Sequence, residues 1–196
     1  MIISSPSALL ATLLFTLVAL ASFATWALGS HFFSSEAAMY TMCSLVFLGL
    51  GGLALMPAAG LPNPRSRLAF CLRFAIGFIA YSLLWSVSWF TFRDTFGEVI
   101  GSFSGLLALV AILGRGRRHS SDSLLIATAI VFLWHTLGYY TGGFAYKILQ
   151  GRGPFGIEPF LQPEATVILA RFSWGLCYGL GLGAGLTALL QRSRQI

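Results

Sequence analysis

The stretch ATVILARFSWGLCYGLGLGAGLTALL, residues 165–190, holds a single charged side chain, Arg171, in 26 residues. A hydrocarbon core of roughly 30 Å needs about 20 apolar residues of helix, so the segment predicts a membrane-spanning helix. Its glycines are spaced rather than scattered. Gly175, Gly179 and Gly183 recur at four-residue intervals, with Gly181 and Gly185 offset beside them. Such a strip lets another helix approach closely. Close packing inside a helical bundle is the simpler use for it. The other is a docking face for a membrane-protein partner through Gly175, Gly179 and Gly183.

Working outward, five more stretches read the same way: Ser7–Gly29, Ala37–Gly60, Leu68–Phe92, Gly97–Gly114 and Ser123–Tyr146. The chain of 196 residues is 57% hydrophobic and only 9% charged, against about a quarter charged in a soluble domain. The polar residues fall in short connectors, which leaves no room for a separate soluble domain. Strands are excluded, because the apolar runs are continuous and too long for barrel strands. The expected fold is all-α: one integral membrane domain over residues 1–196, a bundle of six transmembrane helices in the lipid bilayer.

The charges alternate between the gaps. Arg65 and Arg67 occupy the second connector, Arg115, Arg117 and Arg118 the fourth, and Arg192 and Arg194 the C-terminus. The opposite connectors carry Arg93, Lys147 and Arg152 among Glu36, Asp94, Glu98, Glu158 and Glu164. An excess of Lys and Arg marks the cytoplasmic side, so both termini are expected inside, in a bacterial cytoplasmic (inner) membrane. The net charge of +6 then reports topology, and no nucleic-acid partner is expected. Ala19-Leu20-Ala21 resembles a signal-peptidase site, but residues 1–30 contain no Lys or Arg. Without a positive n-region, the first span is expected to stay.

A three-plus-three inverted repeat is a weaker expectation. Arg73-Phe74-Ala75-Ile76-Gly77 in the third span matches Arg171-Phe172-Ser173-Trp174-Gly175 in the sixth. A unit of three spans inverts its successor, as in many transporters.

Arg171 is the charge that breaks the pattern, basic and about 9 Å inside the outer end of its span. Ionisable groups at that depth usually face the bundle or a wet cavity, although an arginine can also snorkel to the headgroups. His135 falls near the middle of the fifth span, on a stripe with Thr128, Tyr139, Gly142 and Tyr146. His135, Tyr139, Arg171 and Tyr178 are therefore the expected ligand-binding residues, in an outward-facing polar pocket for a small anionic or amphiphilic solute. The competing reading of His135 is a hydrogen-bonded core residue that joins helices. A second histidine at that depth is lacking, and Cys43, Cys71 and Cys177 form no CxxC pair. No metal and no cofactor are expected.

The fourth span opens Gly101-Ser102-Phe103-Ser104-Gly105, and the sixth carries Ala170-Arg171 ahead of its glycines. In these two places the chain resembles the rhomboid intramembrane proteases. Their six-helix core holds a serine in a G-x-S-G motif on the fourth helix and a histidine in an A-H-x-x-G context on the sixth. The resemblance implies an intramembrane hydrolase with Ser104 as nucleophile. Ser102 stands in place of the first glycine and Arg171 in place of the histidine, so no base is supplied for the Ser104 proton. Binding or transport of a solute leads, with a structural subunit of a membrane complex and a degenerate rhomboid-like hydrolase as alternatives.

Overall fold

The structure, a computed structural model, describes residues 5–29, 32–114, 121–154 and 162–192. Arg115, Arg117, Arg118 and Arg194 lie outside the described residues. So do His31, His119 and most of the long connector, including Glu158. Seven helices are described: α1 Pro6–Leu28, α2 Glu36–Ala54, α3 Met56–Ala59, α4 Pro64–Phe92, α5 Thr95–Leu113, α6 Ser121–Leu149 and α7 Pro163–Arg192. Six are long and apolar enough to cross a membrane, with α2 and α3 together forming the second span. No strand occurs among the described residues.

Local chemistry sets the helix ends more sharply than hydropathy does. Ser5, Ser35, Asn63 and Asp94 are N-caps whose side chains accept from backbone N–H groups one turn on, satisfying donors that the helix leaves open. Pro64 occupies the first turn of α4, where its missing N–H is no loss. This is why α4 starts four residues before its apolar run. Pro57 does the reverse, interrupting the second span between Ala54 and Met56, since proline cannot continue the hydrogen-bond ladder. Gly60 closes α3 at a φ of 60°, the left-handed cap that glycine adopts without strain.

The long helices form a closed ring in the order α1, α2, α4, α5, α6, α7 and back to α1, with α3 packed against α1 and α7. Gln191 donates to Ser5, so the start of α1 and the end of α7 lie at one end of the bundle, here the near end. Leu68, Leu72, Ile76, Ile79, Leu83 and Val87 form an exposed stripe along α4. A soluble protein rarely leaves so long an apolar stripe in water; this is the outside of an integral membrane protein. Inside, Phe15, Phe74, Leu106, Leu109, Leu182 and Leu186 are fully buried, together with the polar Thr128, His135 and Thr187.

The glycines of α7 divide between two neighbours. A Cβ added at Gly175 would meet Phe23, one at Gly179 Ala19 and Thr16, and one at Gly183 Phe15, all on α1. Gly181 and Gly185 instead face Gly138 and Val131 of α6. The four-residue strip is thus occupied by a helix of the same chain.

Candidate functional site

The seam between α2 and α4 is closed at its near half and open at its far half. A Cβ on Gly52 would lie 3.0 Å from Cys71 Cα, and Gly51 abuts the Phe74 ring. One turn further on, the facing residues become Phe47 and Phe78, whose rings stack at 5.2 Å. Beyond them, Tyr40 and Ser44 of α2 and Tyr81, Ser82 and Trp85 of α4 border an open space. The result is a cavity of about 290 Å³, at the lower edge of the roughly 300–1,000 Å³ usual for small-molecule sites.

Its walls are aromatic, with hydroxyls set between the rings. Phe23 and Trp26 come from α1, Tyr40 and Phe47 from α2, Phe78, Tyr81 and Trp85 from α4, and Tyr139 and Tyr178 from α6 and α7. Ser22, Ser44, Ser82 and Ser86 complete the lining with Cys43. No acid or base is among the lining residues. Several hydroxyls are already committed: Ser22 donates to Cys43 O (2.9 Å), Ser44 to Tyr40 O (2.9 Å) and Ser82 to Phe78 O (2.9 Å). Trp85 Nε1 is buried without an acceptor, and its ring stacks on Trp89.

Behind the cavity floor is a buried polar network. The Tyr81 hydroxyl and His135 Nε2 are hydrogen bonded at 2.9 Å. His135 is 1% exposed. Tyr139 stacks on its ring at 5.8 Å and Tyr178 meets it edge-on at 5.6 Å. The Tyr139 hydroxyl donates to Glu98 Oε1 at 3.2 Å, and Tyr140 donates to Oε2 at 3.4 Å. A line of polar contacts and stacked rings therefore runs from Glu98, near the start of α5, to the cavity floor. His135 Nδ1 is buried without a partner. Its ring borders a second void of about 10 Å³, shared with Ser102, Thr136, Tyr139 and Tyr140. That is near the minimum that holds one water.

Of the residues expected from sequence, His135, Tyr139 and Tyr178 are brought together, and Arg171 is not. Arg171 Nη1 donates to Trp26 O at 2.7 Å, and its guanidinium carbon lies 4.6 Å from the Trp26 ring centre. Trp26 stacks in turn with Tyr146. The arginine thus holds the last turn of α1, where helix carbonyls point outward and favour a cation, and the face of Trp26 adds a cation–π contact. It sits behind the Trp26 wall and does not line the cavity.

Ser104 points back into its own helix, donating to Ile100 O at 2.8 Å and Gly101 O at 3.3 Å. His135, the only histidine among the described residues, is engaged with Tyr81 instead. No group of three or more His, Cys, Asp or Glu that could hold a metal occurs among the described residues.

Sequence reading did not single out Tyr81, Trp85, Trp26 or Glu98. A signal for the first two was present: Tyr81, Ser82, Trp85 and Ser86 place alternating rings and hydroxyls on adjacent faces of one helix. It was hidden because these four residues lie inside a long, predominantly apolar run. No family model matches the chain, and neither a curated protein nor a solved structure shows significant similarity to it.

Proposed function

We propose that this protein binds, and in a transport cycle passes on, a small amphiphilic solute in the α1–α2–α4 cavity. The observation that carries the reading is the aromatic, hydroxyl-bearing cavity with the His135–Tyr81 hydrogen bond beneath it. Aromatic walls favour an apolar or planar body, and a few fixed hydroxyls orient one polar head. An uncharged or weakly polar head suits the lining better than a strong anion, since Arg171 is held on Trp26. The cavity at the far half of the α2–α4 seam, bordered by the exposed Tyr40, Ser44 and Ser82, gives such a solute a route from the lipid phase.

The alternating charges support an orientation with both termini in the cytoplasm of a bacterial cell. The cavity then belongs to the outer half of the inner membrane. An inverted repeat would suit a transporter. Gly77 of α4 meets Leu109 of α5 as Gly175 of α7 meets Phe23 of α1, which pairs the two R-F-x-x-G segments in equivalent seams.

Trp26 and Trp85 line the cavity and report on it. Titration of the purified protein with short-chain amphiphiles should give saturable quenching of tryptophan fluorescence. Ser82→Trp, filling the mouth from an exposed position, should abolish saturation without lowering the melting temperature. Non-saturable quenching in wild type, or saturation unaffected by Ser82→Trp, would remove the reading.

A further inference from the structure

The solute reading leaves His135 Nδ1 without a use. That nitrogen is buried and has no hydrogen-bond partner, whereas most buried polar atoms have one. Its ring stands between two spaces. Nε2 is bonded to Tyr81, which lines the solute cavity. The ring also borders the void of about 10 Å³ between α5 and α6, about the smallest space that holds a water. Ser102 of α5 and Thr136, Tyr139 and Tyr140 of α6 bring hydroxyl side chains to its border, and no charged residue lines it. Tyr139 and Tyr140 both donate to Glu98, which is partly exposed in the first turn of α5. The titratable groups facing the imidazole are Tyr81 from α4, Tyr139 from its own helix and Tyr178 from α7. From α5 it shares the void with Ser102, and Glu98 lies one turn further out.

We infer that this line is a proton path from water at the far end of the bundle to the floor of the solute cavity. The inference rests on the cavity reading for the solute and adds the proton as a second cargo. Glu98 takes up a proton and passes it to the Tyr139 oxygen, while the Tyr139 hydroxyl proton moves to a water in the void. That water gives a proton to His135 Nδ1. The Nε2 proton moves to the Tyr81 oxygen, and the Tyr81 hydroxyl proton leaves into the cavity. One proton enters and one leaves, every group between regains its charge, and His135 ends in its other tautomer. Histidine suits this step because its two nitrogens can accept and release a proton on different sides. A histidine that only joined helices would have no need of a water-sized space beside a second, unbonded nitrogen.

Exchange of the His135 ring N–H with water tests the path without any solute. The full-length protein carries His31→Asn and His119→Asn, so that the one isotope-labelled imidazole is His135, and is followed by NMR in detergent micelles. A sealed ring that is 1% exposed exchanges only on local opening, like the amides around it. The path predicts ring exchange roughly 100-fold faster than those amides. Ser102→Val and Thr136→Ile fill the void from either helix, and each should slow exchange about ten-fold or more. Glu98→Gln can still accept from a tyrosine but takes up no proton, and should slow it about three-fold. Ser102→Ala leaves the void open and Ser82→Trp obstructs only the cavity, so both should stay within about two-fold. Ring exchange as slow as the amides in wild type would overturn the path. So would equal slowing by Ser102→Ala and Ser102→Val, which would report packing alone. Loss of exchange in Ser82→Trp would also overturn it, since water would then reach the ring from the cavity. A probe with an acceptor head and no proton of its own, ω-bromooctyl methyl ether, joins the path to the solute. Drawing the Tyr81 hydroxyl proton toward itself, it should raise the Nε2–H tautomer of His135 about three-fold, with no such change in Tyr81→Phe. Saturable quenching of tryptophan by the bromine without a tautomer change would overturn the coupling. Absence of saturable quenching would instead remove the amphiphile reading, and the exchange rates would still decide the path.

Discussion

The two halves of the α2–α4 seam are built from the same pair of helices and come out differently. At the near half, Gly51 and Gly52 let α2 rest on Phe74 and Cys71. At the far half, Phe47, Phe78, Tyr40 and Trp85 line a cavity. The α6–α7 seam brings the backbones close at Gly138 against Gly181 and at Gly142 against Trp174, with a groove of about 410 Å³ on the side toward α1. In lipid no hydrophobic effect draws helices together, so their approach is decided by the volume of the side chains between them. The glycine positions therefore fix where helix backbones come closest, and aromatic side chains wall the α2–α4 cavity.

The strongest way to break this contrast is Gly181→Leu. A Cβ at Gly181 would lie 2.7 Å from Gly138 Cα, so α6 and α7 must part. Overpacking on this scale costs about 3 kcal/mol, or a fall in melting temperature of roughly 6–12 °C. Gly49→Leu is the counterpart, since nothing lies within 4 Å of an added Cβ there. It should melt within about 1 °C of wild type. Equal losses would show that spacing at glycines does not govern the seams.

Tyr81→Phe sharpens the other side of the comparison. It leaves the packing of the cavity floor but strands His135 Nε2, whose bond to Tyr81 is 2.9 Å. An unsatisfied buried group costs about 1–3 kcal/mol. Melting should fall by several degrees and amphiphile quenching should weaken together. A variant with unchanged stability would mean that His135 finds another partner.

Arg171→Met should act on stability alone. Loss of the contact with Trp26 O and the Trp26 ring removes about 1–2 kcal/mol, while amphiphile affinity stays within roughly two-fold. Arg171→Lys should recover part of the stability, since an ammonium can reach the carbonyl but stacks less well. An affinity loss larger than the stability loss would place the arginine in the binding site after all. Tyr140→Phe should have the smallest effect, about 0.5 kcal/mol or less. Its 3.4 Å contact with Glu98 is long and exposed, and Tyr139 still holds the same carboxylate.

Much of the architecture could be read from single segments. Residues 165–190 announce a spanning helix by length and a close-packing face by glycine spacing. Asn63-Pro64 and Asp94 mark helix starts that hydropathy alone misplaces by a few residues. Depth along a helix was also legible, since residue number converts directly to rise. It places His135, Tyr139 and Tyr178 at comparable depths. Arg171 shows the limit. Its depth suggested membership of the same group, but depth says nothing about which neighbour a side chain faces. Here α1 ends beside it and supplies a carbonyl and a ring.

The sequence by itself determined a membrane protein of six helices and the places where those helices can touch. Both follow from quantities local to each segment: length, apolarity and the spacing of small residues. Only the tertiary structure decided which helix each glycine face receives. It also decided that Tyr81 of α4 would meet His135 of α6, 54 positions apart, and that a cavity would open between α2 and α4 at one end. Those outcomes depend on side-chain volumes summed across two helices at once, which no single stretch of the chain contains.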